Sequence, residues 1–270
     1  MNILLLSSSL LLDSGGGLAG ARASRLVLTG ERAAAVLASR PLKVGDSIRV
    51  GEENGWTADG LVEELHQASL VLSLSQWRSG IISPPTSVIL AIPRPQILKQ
   101  ALRSCGMFGV ERVMLVRAQE CDKSYFQSTV LREENLSQHL RDGMEQSTVT
   151  RTPQVSQHLR FRPFLEDDLE NLLPAGSLRL LPDPRGVEHL AQQALPCGIS
   201  LDRPVVVAIG PEAGWSDFER ELFVSRGFEL FNVGAPILRV DVALIALLAQ
   251  IDLLRNVNLV NGLSTVQEQL

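Results

Sequence analysis

Two short apolar runs, each followed by a loop rich in Gly and Pro, constrain the fold of this chain more than any other feature. The run Val205–Ile209 leads into residues 210–214, and the run at residues 230–233 leads into residues 234–239. An apolar run of this kind is typical of a strand buried on both faces, as in a parallel sheet. Ligands bind at the carboxyl ends of such strands. The two loops therefore predict one shared pocket with apolar walls and backbone hydrogen-bonding groups.

The same alternation of apolar runs with helical spacing extends through the second half of the chain. It predicts an α/β fold with a mostly parallel sheet covered on both faces. The predicted strands are residues 87–92, 113–116, 178–181, 205–209 and 230–233, and the predicted helices are residues 96–106, 125–144, 187–194, 216–226 and 241–256.

The first part of the chain has a different rhythm, with short strand-like runs separated by turns. A Gly45-Asp46 turn and an Asn54-Gly55 hairpin signal lie among these runs. Several short strands at close spacing predict a small β-barrel, crossed by one helix at residues 31–38. The first strand is expected at residues 2–6 rather than a signal peptide, because no positive charge precedes it. Pro84-Pro85 predicts a boundary after this part.

Composition excludes several classes of protein. The chain has 270 residues, of which 45% are hydrophobic, and this predicts a soluble globular protein. The net charge of −5 gives no general affinity for nucleic acid, so any RNA surface must be local. The three cysteines form no Cys-x-x-Cys pair, which disfavours disulfides and a metal site. The apolar helix near residues 242–254 is too short to span a membrane, so no membrane partner is expected.

The loop after Val205–Ile209 matches no common phosphate-binding or nucleophile motif. The chain lacks the P-loop pattern, the Gly-x-Gly-x-x-Gly fingerprint and the Gly-x-Ser-x-Gly elbow at this place. Ser216 and Glu219 form a capping-box pattern that predicts a helix start directly after the loop. These features favour a pocket for a nucleoside-like ligand, although an ordinary tight turn explains the loop equally well.

Arg239 and Asp241 lie at the start of the last predicted helix. A guanidinium beside a carboxylate can hold a phosphate or polarise a carbonyl. The alternative is a salt bridge at a helix start, with Asp241 near the positive end of the helix dipole.

Residues 146–165 contain no acidic residue and carry arginines beside aromatic residues. Arg151, Arg160 and Arg162 are interleaved with Phe161 and Phe164. Such a patch suits RNA phosphates and bases, so we assign the three arginines to RNA binding. A solvated loop with incidental arginines is the alternative.

Together these motifs resemble the RsmE family, whose members methylate N3 of a uridine in small-subunit ribosomal RNA and belong to the SPOUT superfamily. The family signature reads close to I-G-P-E-G-G-[FLW]-S, followed by L-G-x-x-I-L-R-x-E-T-A. Residues 209–216 of this chain read IGPEAGWS, and residues 233–243 read VGAPILRVDVA. The Leu42-Lys43-Val44-Gly45-Asp46 stretch and Glu145-Gln146-Ser147 are weaker matches elsewhere in the chain.

The resemblance implies a PUA-like β-barrel at residues 1–79, a SPOUT methyltransferase domain with a deep trefoil knot at residues 86–258, and a tail at residues 259–270. It also implies S-adenosylmethionine as cofactor, a homodimer, and small-subunit ribosomal RNA as partner. The cytoplasm is the expected location, because no basic, Ser-rich transit segment precedes the first strand, and an organelle is the alternative. By analogy, the cofactor-binding residues are Ile209, Gly210, Pro211, Glu212, Gly214, Val233, Gly234, Ile237 and Leu238.

The chain departs from the family signature at three places. Ala213 replaces a glycine, and its methyl group would crowd the loop if the backbone there had a positive φ. Val240-Asp241-Val242 replaces Thr-Glu-Thr, which removes two hydroxyls and shortens one carboxylate. The segment after Ser147 lacks the Gly-Arg pair and carries its arginine later, at Arg151.

Methyl transfer to N3 of uridine requires loss of the N3 proton and stabilisation of the charge on the uracil oxygens. Arg239 is predicted to stabilise that charge, and Asp241 is the candidate that helps to remove the proton, directly or through water. Two alternatives are a non-catalytic RNA-binding or ribosome-assembly protein on the same fold, and a SPOUT methyltransferase that acts on another RNA atom.

Overall fold

The computed structural model describes residues 2–7, 23–81, 83–186, 189–190, 199–234 and 236–267. Most of the helix predicted at residues 187–194 lies outside these ranges, as do Ala235 and the end of the predicted tail. The chain divides into two compact units. The first contains Met1–Ile82, Gly106–Gly109 and Leu140–Thr152, and the second contains Ser83–Cys105, Val110–His139 and Pro153–Leu270.

The first unit is built on a mainly antiparallel sheet. Its described strands pair in the order β1-β3-β4-β5-β2, with β1 parallel to β3 and the other pairs antiparallel. The predicted helix crosses here as α1. The elements are β1 Leu4–Leu6, β2 Arg25–Thr29, α1 Gly30–Ser39, β3 Ser47–Glu52, β4 Trp56–His66 and β5 Ser69–Ser79.

The predicted hairpin between β3 and β4 is fixed by contacts within the first unit. Asn54 has φ 57°, as this turn requires. Its N–H donates to the Thr150 carbonyl at 2.7 Å, and its Oδ1 accepts from the Thr152 N–H at 2.9 Å. Residues 140–152 thus belong to the first unit, whereas the sequence predicts them in the second domain.

The second unit carries a parallel sheet, as predicted. Among the described residues its six strands pair in the order β11-β9-β10-β6-β7-β8, and every pair is parallel. The strands are β6 Thr86–Ala91, β7 Arg112–Val116, β8 Gln154–His158, β9 Leu178–Pro182, β10 Val205–Ile209 and β11 Glu229–Phe231. The longer helices are α2 Pro95–Phe108, α3 Glu133–Ser147, α4 Asp217–Ser225 and α5 Val240–Gln267.

Three predicted elements differ from the structure. The helical stretch predicted at residues 125–144, with a break near Asn135 as an alternative, is two 3₁₀ turns, Lys123–Gln127 and Thr129–Leu131, followed by α3. Strand β8 lies in the segment that the sequence predicts as a basic patch, and no strand is predicted there. Its mixed polar sequence lacks the alternation of apolar residues that would indicate a strand. Helix α5 extends to Gln267, so the predicted tail at residues 259–270 is helical up to that point.

Helices and loops cover both faces of the parallel sheet, and its central strands are fully buried. Every residue of β6 and β10 is buried. Between β8 and β9 the chain forms a helical stretch that includes a π-helical turn at Phe164–Asp168. Phe164 and Leu165 in this turn pack into the same core as Val206 and Ala208.

Arg255 of α5 is buried at the amino-terminal end of the sheet, with 1% of its side chain exposed. Its Nη1 donates to the Thr86 hydroxyl at 2.8 Å, and its Nη2 donates to the carbonyls of Pro85 at 2.9 Å and Arg203 at 3.3 Å. Burial lowers the pKa of this guanidinium. Because Thr86 begins β6, Pro85 directly precedes it and Arg203 precedes β10, one side chain connects α5 to both central strands.

We expect Arg255→Met to lower the free energy of unfolding by about 3 kcal/mol, because it leaves buried oxygen acceptors without a donor. The neighbouring Asn256 is exposed, so Asn256→Ala is a matched control with an expected change below about 0.5 kcal/mol. Urea denaturation measures both. Equal stability of Arg255→Met and the wild type would contradict the role given to this contact.

Candidate functional site

The carboxyl ends of the parallel strands form the candidate site. After β6 the chain continues to β7 on one side, whereas after β10 it continues to β11 on the opposite side. β6 and β10 are neighbours, so their carboxyl ends mark a topological switch point, where ligands bind in open α/β sheets. The loop after β10 reaches the loop after β6 here, since Glu212 Oε1 accepts from the Arg94 N–H at 3.3 Å.

The loop after β10 is a tight turn that needs its two glycines. The Gly214 N–H donates to the Pro211 carbonyl at 2.8 Å, and Gly214 has φ +80°. A Cβ on Gly210 would lie 3.2 Å from the backbone N, Cδ1 and Nε1 of Trp215. The departure Ala213 does not carry a positive φ, because among the described non-glycine residues only Asn54, Gln76 and Thr148 do. The substituted position is thus compatible with alanine.

The capping box predicted after this loop is present. The Glu219 carboxylate accepts from the Ser216 N–H at 2.9 Å and from the Ser216 hydroxyl at 2.9 Å. Its other oxygen accepts from the Gln119 N–H at 2.7 Å, and Gln119 lies in the loop after β7. Glu219 is buried, with 2% of its surface exposed. The Glu219 carboxylate therefore joins α4 to the loop after β7, two strands away in the sheet. No motif in the sequence predicts this contact.

An aromatic cluster supports the loop from the core side. Trp215 is buried and lies 4.9 Å from the Phe223 ring and 5.7 Å from the Phe161 ring, measured between centroids. Phe228 continues the cluster at 4.8 Å from Phe223. The loop after β10 therefore rests on a packed surface that fixes its position.

The loop after β9 lies between the two predicted loops, although no motif in the sequence marks it. β9 separates β10 from β11 in the sheet, so Asp183 to Gly186 follow the strand between them. The Asp183 N–H donates to the Phe231 carbonyl at 3.0 Å. A Cβ on Gly186 would lie 2.3 Å from the Phe231 carbonyl carbon, so only glycine fits. This loop is pressed against the end of β11.

The other side of the β9 loop is held by charged groups of α4. Arg220 Nη1 lies 3.9 Å from Asp183 Oδ2, and only 5% of the Asp183 side chain is exposed. Arg220 Nη2 and Arg185 Nη1 both donate to Asp217 Oδ1. These two hydrogen bonds hold the pKa of Asp217 below its usual value. The β9 loop therefore bridges the loops after β10 and β11.

The loop after β11 is shaped by Asn232 and Gly234. Asn232 Oδ1 accepts from the Gly234 N–H at 2.8 Å, and Gly234 has φ +151°. Val233 and Gly234 are half-buried, whereas Ile237 is 88% exposed and Leu238 is 36% exposed. In the second predicted cofactor segment, Val233 and Gly234 therefore lie nearest the sheet, and the Ile237 side chain is the most exposed.

Arg239 and Asp241 form a two-point ion pair at the start of α5. Arg239 Nε donates to Asp241 Oδ1 at 2.9 Å, and Nη2 donates to Oδ2 at 2.7 Å. The Asp241 side chain is 9% exposed and that of Arg239 is 65% exposed. The hydrogen bonds from Arg239 lower the pKa of Asp241. A carboxylate held this way orients the guanidinium and is a poor proton acceptor.

The three arginines assigned to RNA binding do not form one segment. Arg151 belongs to the first unit, and Arg160 and Arg162 belong to the second. Arg160 is exposed, and Arg162 Nε donates to Glu166 Oε1 at 2.9 Å. The intervening strand β8 separates them along the chain, which the sequence pattern did not indicate.

No cluster of three or more His, Cys, Asp or Glu side chains able to hold a metal ion occurs in the part of the chain that the structure describes. Over the same residues, no helix has the length and apolar character needed to cross a membrane.

Comparisons with known proteins agree with this geometry. Residues 82–252 match the family model described as RNA methyltransferase domain. Ribosomal RNA small subunit methyltransferase E of Treponema pallidum is 27% identical over 160 residues, which are 59% of this chain and 58% of that protein. The protein of the same name from Synechocystis is 25% identical and aligns with 79% of this chain and 68% of its own length. The alignment thus spans less than two thirds of the Treponema protein.

A solved structure has the same fold. It is the ribosomal RNA small subunit methyltransferase E of Neisseria gonorrhoeae bound to S-adenosyl methionine, with a TM-score of 0.73 and 17% sequence identity. The match covers 94% of this chain and 98% of that chain.

In the loop after β10, Gly210 is the glycine whose replacement would crowd Trp215. We expect Gly210→Ala to lower the free energy of unfolding by about 1–3 kcal/mol, because the new methyl group would press on Trp215. Ala213→Gly removes a methyl group nearby and should change stability by less than about 1 kcal/mol. Thermal or urea unfolding compares the two. Equal effects at both positions would contradict the packing described for this loop.

Proposed function

The chain belongs to the RNA methyltransferase domain family, and from that premise we propose that it transfers the methyl group of S-adenosylmethionine to N3 of a uridine in small-subunit ribosomal RNA. The observation that carries this proposal is the set of loops after β9, β10 and β11 at one edge of the parallel sheet, with the Arg239–Asp241 pair at the start of α5. The curated relatives are named as methyltransferases of the ribosomal RNA small subunit, and those names support methylation of that RNA.

The residues at this edge fit S-adenosylmethionine. Gly210 and Gly214 keep side chains out of the loop after β10, and the half-buried Val233 and Gly234 follow β11. We propose that these loops hold the cofactor, together with Ile209, Pro211, Glu212, Ile237 and Leu238. Backbone groups and apolar walls of this kind suit an adenine ring. When bound, the cofactor supplies a methyl group activated by its sulfonium charge.

Arg239 is proposed to stabilise the negative charge that develops on a uracil oxygen as the N3 proton leaves. Its bonds to Asp241 use Nε and Nη2, so Nη1 is not used by this pair. In the reaction the N3–H bond would break with its proton passing to water, and a bond would form between N3 and the methyl carbon. The bond from that carbon to the cofactor sulfur would break, leaving a neutral thioether. The lowered pKa of Asp241 favours a positioning role for this carboxylate, with water as the proton acceptor.

The finer features of the fold follow as further parts of the proposal. We infer that the second unit has the SPOUT knot at its carboxyl end and that the first unit is a PUA-like RNA-binding domain. We place the domain boundary between residues 79 and 86. Arg151, Arg160 and Arg162 are proposed to contact RNA phosphates, and the cytoplasm is the proposed location.

The apolar face of α5 supports a homodimer. Val242, Ile245, Ala249 and Leu253 are exposed and follow one another at helical spacing. Leu253 is 60% exposed. An exposed apolar stripe on a helix is typical of a surface that a partner covers, and a second copy of the chain is the partner we propose.

Loss of the Arg239 side chain should slow methylation far more than it weakens cofactor binding. We expect Arg239→Ala to lower kcat by about 10²–10³-fold, because the uracil charge loses its donor, while S-adenosylmethionine affinity changes less than about threefold. Mass mapping of methylated nucleosides in small-subunit ribosomal RNA measures the activity, and calorimetry measures binding. Arg239→Lys keeps the charge and should retain part of the activity.

Asp241→Asn separates the two roles of the carboxylate. If Asp241 orients Arg239, the variant is slower but keeps the pH dependence of the wild-type rate; loss of that dependence would assign it the base role instead.

Wild-type methylation by Arg239→Ala would overturn the assignment of Arg239. A wild type that does not bind S-adenosylmethionine would favour a non-catalytic RNA-binding protein. A methyl group on another RNA atom would change the target.

The dimer is tested by a charge on the α5 stripe. We expect Leu253→Glu to shift the sedimentation of the chain from dimer to monomer. The reason is that an apolar interface offers no positive charge or hydrogen-bond donor to a buried carboxylate. Val224 on α4 is 49% exposed and apolar, so Val224→Glu is the matched control and should leave the dimer intact. A monomeric wild type, or an unchanged Leu253→Glu, would contradict the proposed interface.

A further inference from the structure

The Arg220 side chain contacts groups in the loops after β9 and β10 and at the start of α4. Only 14% of its side chain is exposed. Its Nη1 donates to the Trp215 carbonyl at 3.4 Å and lies 3.9 Å from Asp183 Oδ2. Its Nη2 donates to Asp217 at the start of α4. One guanidinium therefore connects the end of the β10 loop, the first turn of α4 and the β9 loop.

Asp183 also takes part in several contacts. Its Oδ1 accepts from the Arg185 N–H at 2.9 Å, and its carbonyl accepts from the Gly186 N–H at 2.9 Å, so the carboxylate also shapes the turn after β9. Asp183 is buried, with 6% of its surface exposed. A buried carboxylate needs a cation or several donors, and Arg220 is the nearby cation.

The two sides of the β9 loop are held by different kinds of contact. Towards β11 the loop is fixed by close backbone packing at Gly186 and by the hydrogen bond from Asp183 to the Phe231 carbonyl. Towards β10 the strand pairing ends at Leu180 among the described residues. Beyond it the loop is connected to α4 by Arg220 beside Asp183 and by Arg185, whose Nη1 donates to Asp217. The separation of the β9 and β10 loops is therefore set by side-chain charge.

We propose that Arg220 is a positioning residue for S-adenosylmethionine binding, which sets the width of the site between the β9 and β10 loops through Asp183. This inference rests on the proposed function, because it takes these loops as the walls of the cofactor site. Arg220 does not contact the reacting atoms. Its loss would let the β9 loop move away from the β10 loop, and binding groups displaced by a small distance lose most of their effect.

The chain offers a matched control at the other end of the same strand. Arg179 at the start of β9 is also largely buried, with 18% of its side chain exposed. Its Nη1 donates to Glu170 Oε1 at 2.7 Å and to the Arg226 carbonyl at 2.6 Å. Like Arg220, it bonds a carboxylate and a backbone carbonyl, but at the amino-terminal edge of the sheet. A general loss of stability would therefore affect both variants.

The test measures S-adenosylmethionine binding to the full chain by calorimetry and its KM and kcat in methylation. We expect Arg220→Gln to weaken binding by about tenfold and to raise KM to a similar extent, with kcat at saturating cofactor within about twofold of wild type. Arg220→Lys should recover part of the affinity. Arg179→Gln should bind as the wild type does.

Asp183→Asn is the second variant, and it keeps the Oδ1 acceptor for the Arg185 N–H. It should weaken binding as Arg220→Gln does, and the double variant should lose little more than either single one, because both act through the same contact. Wild-type affinity in Arg220→Gln, or an equal loss in Arg179→Gln, would overturn the inference. Absence of binding by the wild type would overturn the proposed function itself, which is a separate outcome.

Discussion

The parallel pairing of β10 with both β6 and β9 is the constraint on which the rest of the site depends. Because adjacent parallel strands run in one direction, their carboxyl ends meet at one edge, and the loops that follow them are neighbours in space. The fully buried sequence of β10 can be satisfied only in the interior of such a sheet. Arg255 holds α5 against the opposite, amino-terminal end of the same strands.

Charged side chains then fix the spacing of the loops. Glu219 is buried and holds the loop after β7 against α4, and Arg220 joins α4 to Asp183 in the loop after β9. Each of these groups has several partners, which offsets the cost of removing a charge from water. The site is thus built from backbone turns whose relative positions are set by buried ion pairs and charged hydrogen bonds.

Two of the departures from the family signature, Ala213 and Asp241, fit the local geometry. Ala213 occupies a place in the turn where the backbone has no positive φ, and the glycine at position 214 takes that role. Asp241 is one methylene shorter than the glutamate of the signature, yet it forms a two-point pair with Arg239. The shorter carboxylate lies close to the α5 backbone and is nearly buried, which suits a residue that orients its neighbour.

The sequence by itself determined the α/β class, most strands of the second unit, the tight turn after β10, the capping box at Ser216 and the Arg239–Asp241 pair. These features are local, since apolar runs, glycines and residues two or three apart in the chain specify them. Only the tertiary structure decided the strand order that puts β9 between β10 and β11, and with it the role of Asp183 and Arg220. It also decided that residues 140–152 join the first unit. Such contacts connect residues that are far apart in sequence, and no local pattern encodes which distant groups a folded sheet will bring together.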